Sequence, residues 1–538
     1  MKVSKNSFLF WALALMLTVV LAACASEPNE GAADPETDEG EGTEAPAEAG
    51  GDLVIAQLSD VVSLDPAGSN DTPSSDVQAN IYETLVVTDQ DMELHPGLAT
   101  EWNPIDDTTW EFKLREGVKF HDDTDFNAEV VKANLERILD PEVASPRAFL
   151  YDMITDIEVV DDYTVHITTE FPFAPLPAHL AHNGGGMVSL EAIEADYAAM
   201  EEGKDPGSYI NENPTGTGYF KFDDRVPDQY VRLVRNDDYW DGTALLDSVT
   251  FKVVGEDLTR IAELETGDSH ISNPLSPSDV SRVEATEGMH VHRQDSMSLS
   301  YIGFNLDKEP FDDVRVRQAI SMAIDKSQII DGIYDGVGIP AIGPLAPGTV
   351  GYDDTVSGLD HDIEKAKELL AEAGYEDGFS TTLWTNDNRE RVDAATNVQA
   401  QLKEIGIDVE IEVLEWGTYL ENTANGEHDM FVLGWSTVTG DADYGLYALF
   451  HSSQVGEPGN RTFLKDDELD ELLDKARRET DEETRLALYH DVQEKLVELA
   501  PMLYIHHQQY LLGVRDEVKN LEQSPTQILQ LKDVYIEQ

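Results

Sequence analysis

The chain has 538 residues and a formal net charge of −71, with 107 Asp and Glu against 36 Lys and Arg. That balance excludes nucleic acid as a partner, because phosphate binding needs clustered cations. Hydrophobic residues make up 41% and aromatics 8%, enough to fill a core, so wholesale disorder is also excluded.

At the N-terminus Lys2 and Lys5 precede a mainly apolar run of fourteen residues, Phe8 to Leu21. Such a run suits an export signal and is short for a spanning helix, which needs ~20 apolar residues. It ends in Leu21-Ala22-Ala23-Cys24, a lipobox. Residues 1–23 therefore read as a lipoprotein signal peptide, and Cys24 as the lipidated residue that becomes the new N-terminus. Two acyl chains supply stable anchoring. Cys24 is the only cysteine, which leaves no intramolecular disulfide and no thiol for catalysis or metal binding. Residues 24–51 read as an acidic, disordered linker that lifts the body off the membrane. The body begins near Asp52 and, at ~490 residues, is too long for one ordinary domain, so two or three lobes are expected. Repulsion at this charge is screened to ~3 Å by 1 M salt, which points to a salt-loving or alkaline-living source.

Within the body, TTWEFKLREGVKF places Trp110, Phe112 and Leu114 on one face of a strand, and YTVHITTE does the same for Val165 and Ile167. YVRLVRN and DVEIEVLEW, with Val409, Ile411 and Val413 alternating, predict later strands. Helical spacing is clear in DIEKAKELLAEAG, where Ile363, Ala366, Leu369, Leu370 and Ala373 form a stripe that Gly374 stops. A second helix spans Asp481 to Leu499 on Leu486, Tyr489, Val492, Leu496 and Leu499. Strands and helices interleave without a fixed repeat, which predicts an α/β fold.

Catalytic motifs do not emerge: there is no Walker loop, no G-x-S-x-G elbow and no H-E-x-x-H helix. The fourteen histidines are scattered, and the adjacent pair His506-His507 faces opposite ways in a strand, so it cannot chelate. No enzyme activity, cofactor or metal is expected. A surface hydrolase is the alternative of a different class, and it would form product from a substrate.

Several segments together resemble the extracellular solute-binding proteins of family 5, which deliver peptides to ABC importers. They are SLDPAGSNDTPSSDVQANIYETL, then LHPGLATEWNPIDDTTWEFKLREGVKFHDDTDFNAEVVKANLERILDP, NPTGTGYFKF, RNDDYWDG, YIGFNLDKEPFDDVRVRQAISMAIDK, KAKELLAEAGYEDGFSTTLWT and HDMFVLGWSTVTGDADYGLYALF. They run in family order across nearly the whole mature chain. Asp123 stands where the family usually has glycine, in a predicted turn.

The resemblance implies a two-lobed periplasmic-binding-protein-like fold of type II, in the large cluster with an extra inserted lobe. Lobe I would be 52–88, 205–300 and 500–538, the inserted lobe 89–204, and lobe II 301–499. It implies capture of di- or oligopeptides, or glutathione, in an interlobe cleft, with closure read by a membrane permease. Nickel complexes, sugars or haem are alternative ligands on the same fold, and a pheromone-type signalling receptor is a further alternative. For the ligand ammonium the candidates are Asp441 or Asp443 in GWSTVTGDADYG, since Val438 stands where relatives of the form GWxxD carry aspartate; Asp441 alternatively caps a helix. For the carboxylate the candidate is Arg389, with Arg391 as rival. Trp435, Ser436 and Thr437 should emerge from the MFVLG strand to cover and bond the ligand, and Asp71, Thr72 and Tyr82 would face them from lobe I. The expected protein is a monomer, lipid-anchored to the cell membrane of a Gram-positive envelope.

Overall fold

A computed structural model describes residues 50–456 and 459–537. Cys24, the signal peptide and nearly all of the acidic linker lie outside the described residues. Three sheets carry the architecture. The first has seven strands in the order Met289–Asp295, Gln509–Arg515, Ile271–Asn273, Asp52–Gln57, Ser248–Val253, Tyr230–Arg235 and Phe220–Val226. The second has six, in the order Ile339–Pro340, Met502–His507, Ser298–Phe304, Met430–Ser436, Ser380–Asn386 and Asp408–Leu414. The third has four, in the order Ala99–Pro104, Thr109–Leu114, Thr164–Thr169 and Ile154–Asp161.

Side-chain alternation explains each sheet. In the third, Phe112 pairs in register with Val165, and both are fully buried with Ile167. The second sheet is covered on both faces. Ile302, Phe304, Val432, Leu503 and Ile505 enter one core, and Tyr301, Phe431, Leu433 and Tyr504 enter the other. Burial on both sides is why MFVL reads as an unbroken apolar run. His506 and His507 do face apart: the ring of His506 lies 4.2 Å from that of Tyr334, while His507 Nδ1 lies 3.1 Å from the Ser298 carbonyl.

The two predicted helices form over Ile363–Glu372 and Glu482–Leu499, capped by Asp362 and Asp481. Ala366, Leu369 and Leu370 are buried in the first, and the chain leaves it at Gly374 with φ 92°. The stripe of the second differs in one place. Leu486 is 39% exposed, and the inward position is taken by Arg485. Asp123 sits at φ 70°, the left-handed region that favours glycine and that aspartate tolerates.

Two crossings connect the first and second sheets. Met289–Asp295 leads after two residues into Ser298–Phe304, and Met502–His507 leads through Gln508 into Gln509–Arg515. The incoming and outgoing strands are antiparallel partners on both sides, so a single two-stranded ribbon passes from one sheet to the other. Two expected limits differ from this pairing. Met502–His507 belongs to the second sheet, so the chain returns at Gln508 rather than at 500. Helix Leu190–Glu201 sends Ala192 and Ile193 into the core of the first sheet, so the inserted segment ends near Val188 rather than at 204.

Candidate functional site

Strand Met430–Ser436 is buried up to Leu433 and half-buried from Gly434 to Ser436, so Trp435 and Ser436 emerge at its end as expected. Trp435 stacks on Tyr444 with ring centroids 5.3 Å apart, and its indole Nε1 is buried without a hydrogen-bond partner among the described residues. Thr437 is buried, and its backbone N–H donates to the Met297 carbonyl, inside the crossing ribbon, at 2.9 Å. The turn then closes through Gly440, against which Met92 from the third-sheet side packs.

Asp441 caps helix Ala442–Phe450, its Oδ1 accepting from the Asp443 N–H at 2.8 Å. It is also paired with Arg485, whose Nη1 donates to Oδ2 at 2.9 Å and whose Nη2 donates to Oδ1. Asp443 is buried and paired with Arg477, whose Nε donates at 3.1 Å and Nη2 at 3.3 Å. Burial lowers the affinity of both guanidinium groups for a proton, and the paired carboxylates more than restore it. Neither aspartate stands free to meet an ammonium. A carboxylate suits an ammonium, but a charge inside a protein takes the nearest opposite charge, and here Arg485 and Arg477 supply it.

The two candidate arginines separate clearly. Arg389 is 63% exposed and lies 3.9 Å from Asp393 one turn on. Arg391 is half-buried, donates to Asn386 Oδ1 at 3.1 Å, and holds its guanidinium 5.5 Å from the Trp416 ring. Its Nη2 is 3.6 Å from where a side chain on Gly434 would begin, so it lies beside the Trp435 strand. Both arginines belong to helix Arg389–Leu402, capped by Asn388. Glu390 between them accepts from Ser276 Oγ of the first-sheet side at 3.1 Å.

From that first-sheet side, Asp71 caps helix Thr72–Ile81 through Oδ1, and its Oδ2 is buried with no partner among the described residues. Thr72 is the first, half-buried residue of the same helix. Tyr82 departs from expectation: it is buried in the first-sheet core under Gly186 and Gly216. A large aromatic residue after an amphipathic helix is pulled inward by its area.

Sequence reasoning missed the third sheet's contribution. Tyr444 of helix Ala442–Phe450 is buried in the core of the third sheet, 5.8 Å from Phe149 and 6.4 Å from His182. Arg477 lies over Phe171 and Phe173 at 5.5 Å and 5.2 Å, and His179 Nε2 is 3.7 Å from Asp443 Oδ2. These residues carry no local motif, and only the meeting of two distant segments gives them meaning. Two groups that could take a metal, Asp89 with Glu93 and His95, and His490 with Asp491 and Glu494, are partly or fully solvent-exposed.

Two covered sheets joined through one ribbon, with a further sheet inserted in the first, define a periplasmic-binding-protein-like fold. The chain belongs to family 5 of the bacterial extracellular solute-binding proteins, whose middle region matches residues 93–457. It is 34% identical over 462 residues to the glutathione-binding protein GsiB of Escherichia coli K12, covering 84% of this chain and 88% of that one. Among solved structures it resembles the periplasmic binding protein DppA of Helicobacter pylori in complex with the peptide STSA, with a TM-score of 0.83, 32% identity, and coverage of 91% and 99%. It also resembles the oligopeptide-binding protein AppA of Bacillus subtilis in complex with a nonapeptide, with a TM-score of 0.81, 28% identity, and coverage of 91% and 99%.

Proposed function

We propose that this protein captures small peptides between the first-sheet and second-sheet lobes and presents them, without turnover, to the permease of an ABC importer. Likeness to the STSA-bound protein over almost the full length carries this reading. The crossing ribbon supports it mechanically, because lobes joined by two neighbouring strands can bend about them and close over a ligand that both contact. In this reading Arg391 grips the peptide carboxylate, helped by the N-terminus of its own helix. Trp435 covers apolar parts of the ligand and donates its free Nε1–H to a peptide carbonyl. The third-sheet lobe forms one wall. Cys24 tethers the protein as a monomer to a Gram-positive cell membrane.

Native mass spectrometry of the gently purified protein tests the central claim. A co-purified set of peptides, exchangeable for added peptide, is the expected result; cleaved fragments that accumulate with time would establish a hydrolase instead. A Cys24→Ala variant should appear in the culture medium rather than the membrane fraction, and its retention on the membrane would contradict the tether.

A further inference from the structure

The third-sheet lobe is tied to the first-sheet lobe by buried hydrogen bonds. Arg137 donates to both oxygens of Asp65, at 3.1 Å and 2.7 Å, and Ser145 Oγ donates to the Ala67 carbonyl at 2.7 Å. Arg147 donates through Nε to the Ser69 carbonyl and through Nη2 to Ser75 Oγ at 3.1 Å. These two lobes therefore move together. Against the second-sheet lobe the contacts are of another kind, packed rings and cations. Arg477, on helix Asp467–Arg478, lies over Phe171 and Phe173, Arg478 lies 4.8 Å from the Phe171 ring, and Tyr444 lies 5.8 Å from Phe149. Bending of the crossing ribbon parts this seam and lets water into it.

One histidine stands in the middle of the seam. His179 ends helix Leu176–His179 of the third-sheet lobe and is buried, its ring edge-on to Phe173 at 5.0 Å. Its Nδ1 is 2.8 Å from the Leu150 carbonyl, which only accepts, so Nδ1 carries the proton of the neutral ring. Nε2 then presents a lone pair. It has no hydrogen-bond partner among the described residues and stands 3.7 Å from Asp443 Oδ2 across the seam. That oxygen already accepts from Arg477, so a charged ring would be a second cation beside Arg477 in a place without water. Burial holds His179 below its usual 6.5, against the pull of Asp443, the Leu150 carbonyl and Asp441, and Arg477 pushes it further down. The other groups around it do not take up the charge. His182 is held well below 6.5 by burial and then by Arg147. Tyr151, whose hydroxyl donates to the His179 carbonyl at 3.0 Å, is raised by burial, and Asp152 acts on Arg477 from the same lobe.

Resting on the peptide-capture reading above, we propose that this seam is a pH-sensitive latch: closing of the second-sheet lobe over a peptide expels a proton from His179 Nε2 to solvent, and acid opens the protein. In the open form Nε2 meets water, and the ring titrates as an ordinary histidine near about 6.5. In the closed form the ring stays neutral. The sign follows from linkage: closure is favoured in full above about pH 6.5 and is opposed by one proton as the pH falls below it. The latch acts through His179, away from the groups that hold the peptide, so retention and recognition are separable.

Calorimetric titration of the whole protein with the peptide Ser-Thr-Ser-Ala, at about pH 5.5 and pH 8 and in two buffers of different ionisation heat, counts the protons released on binding. KCl at about 1 M keeps long-range repulsion from changing with pH. Peptides recovered from the purified protein replace this titrant if they bind more tightly. The parent should release about half to one proton at pH 5.5 and none at pH 8, with affinity about three- to tenfold weaker at pH 5.5. His179→Asn keeps an amide N–H for the Leu150 carbonyl; it should release no proton and bind equally at both pH values. His179→Gln takes its place should the first variant fail to fold. Equal affinity and no proton release by the parent at pH 5.5 overturn the latch and leave peptide capture standing. Release that persists in a folded His179 variant also overturns the latch. Binding at neither pH, with no peptide co-purified, overturns both.

Discussion

At the end of strand Met430–Ser436, Asp441 with Arg485 and Asp443 with Arg477 neutralise one another inside the protein. Removing one partner of such a pair strands a charge, at a cost of about 3–5 kcal/mol, so these residues belong to stability before affinity. The proposed reading assigns the ligand carboxylate to Arg391. Arg391→Ala should weaken binding of co-purified peptides by about tenfold or more, and Arg389→Ala should leave it unchanged within about twofold, as read by calorimetry. Equal effects from the two would return Arg389 to the site. The capping role of Asp441 was legible from its place before an apolar helical run. Its second partner was not, because nothing local marks Arg485, and periodicity pointed to Leu486 instead.

Another buried carboxylate gives a pH signature. Asp76 accepts from the Leu529 N–H and from Asn273 Nδ2, yet burial outweighs both and raises it from 3.8 to about 7. The folded protein therefore holds a proton there that the unfolded chain releases near pH 4. Its contribution to stability is largest below pH 4 and falls as the pH rises to about 7. Asp76→Asn removes this component. Urea unfolding should show the stability difference, variant minus parent, shifting in favour of the variant between pH 5 and pH 8; a constant difference would mean that Asp76 ionises normally.

Among elements, those with a strong period were legible. Thr109–Leu114, Thr164–Thr169 and Ile363–Glu372 fall where alternation or an apolar stripe puts them, because burial of one face decides their conformation, and Asp408–Leu414 forms as expected although Val413 at its end is 50% exposed. What each element touches was not legible. Nothing in ADYGLYALF says that Tyr444 leaves its own lobe for the core of the third sheet. Phe112 is fully buried in the core of the third sheet, so Phe112→Ala should cost about 3–5 kcal/mol. A fall in the urea midpoint corresponding to less than about 1 kcal/mol would mean that the core refills the space.

For the whole molecule, charge dominates. A net −71 presses outward on every lobe at once, while the buried ion pairs lie beyond the reach of dissolved ions. Raising KCl from about 0.1 M to 2 M should therefore raise the melting temperature, with most of the rise complete near 1 M, where the Debye length is ~3 Å. Calorimetric melting checks this, and a melting temperature that falls over the range would remove the salt-loving reading. Length led to the expectation of two or three lobes, whereas the family's motifs mark segments rather than the places where the chain changes sheet.

Strand Gln509–Arg515 lies inside the first sheet, between Met289–Asp295 and Ile271–Asn273. Synthesis delivers it last, after every residue of the second sheet. Until then the strand synthesised as Ile271–Asn273 has an open edge, and the lobe that began at Asp52 is incomplete. A chain still being made can thus complete the second and third sheets while the first still lacks a strand. The order of the strands acts as a clock: the first sheet closes only when Gln509–Arg515 has arrived to pair with Ile271–Asn273 and Met289–Asp295.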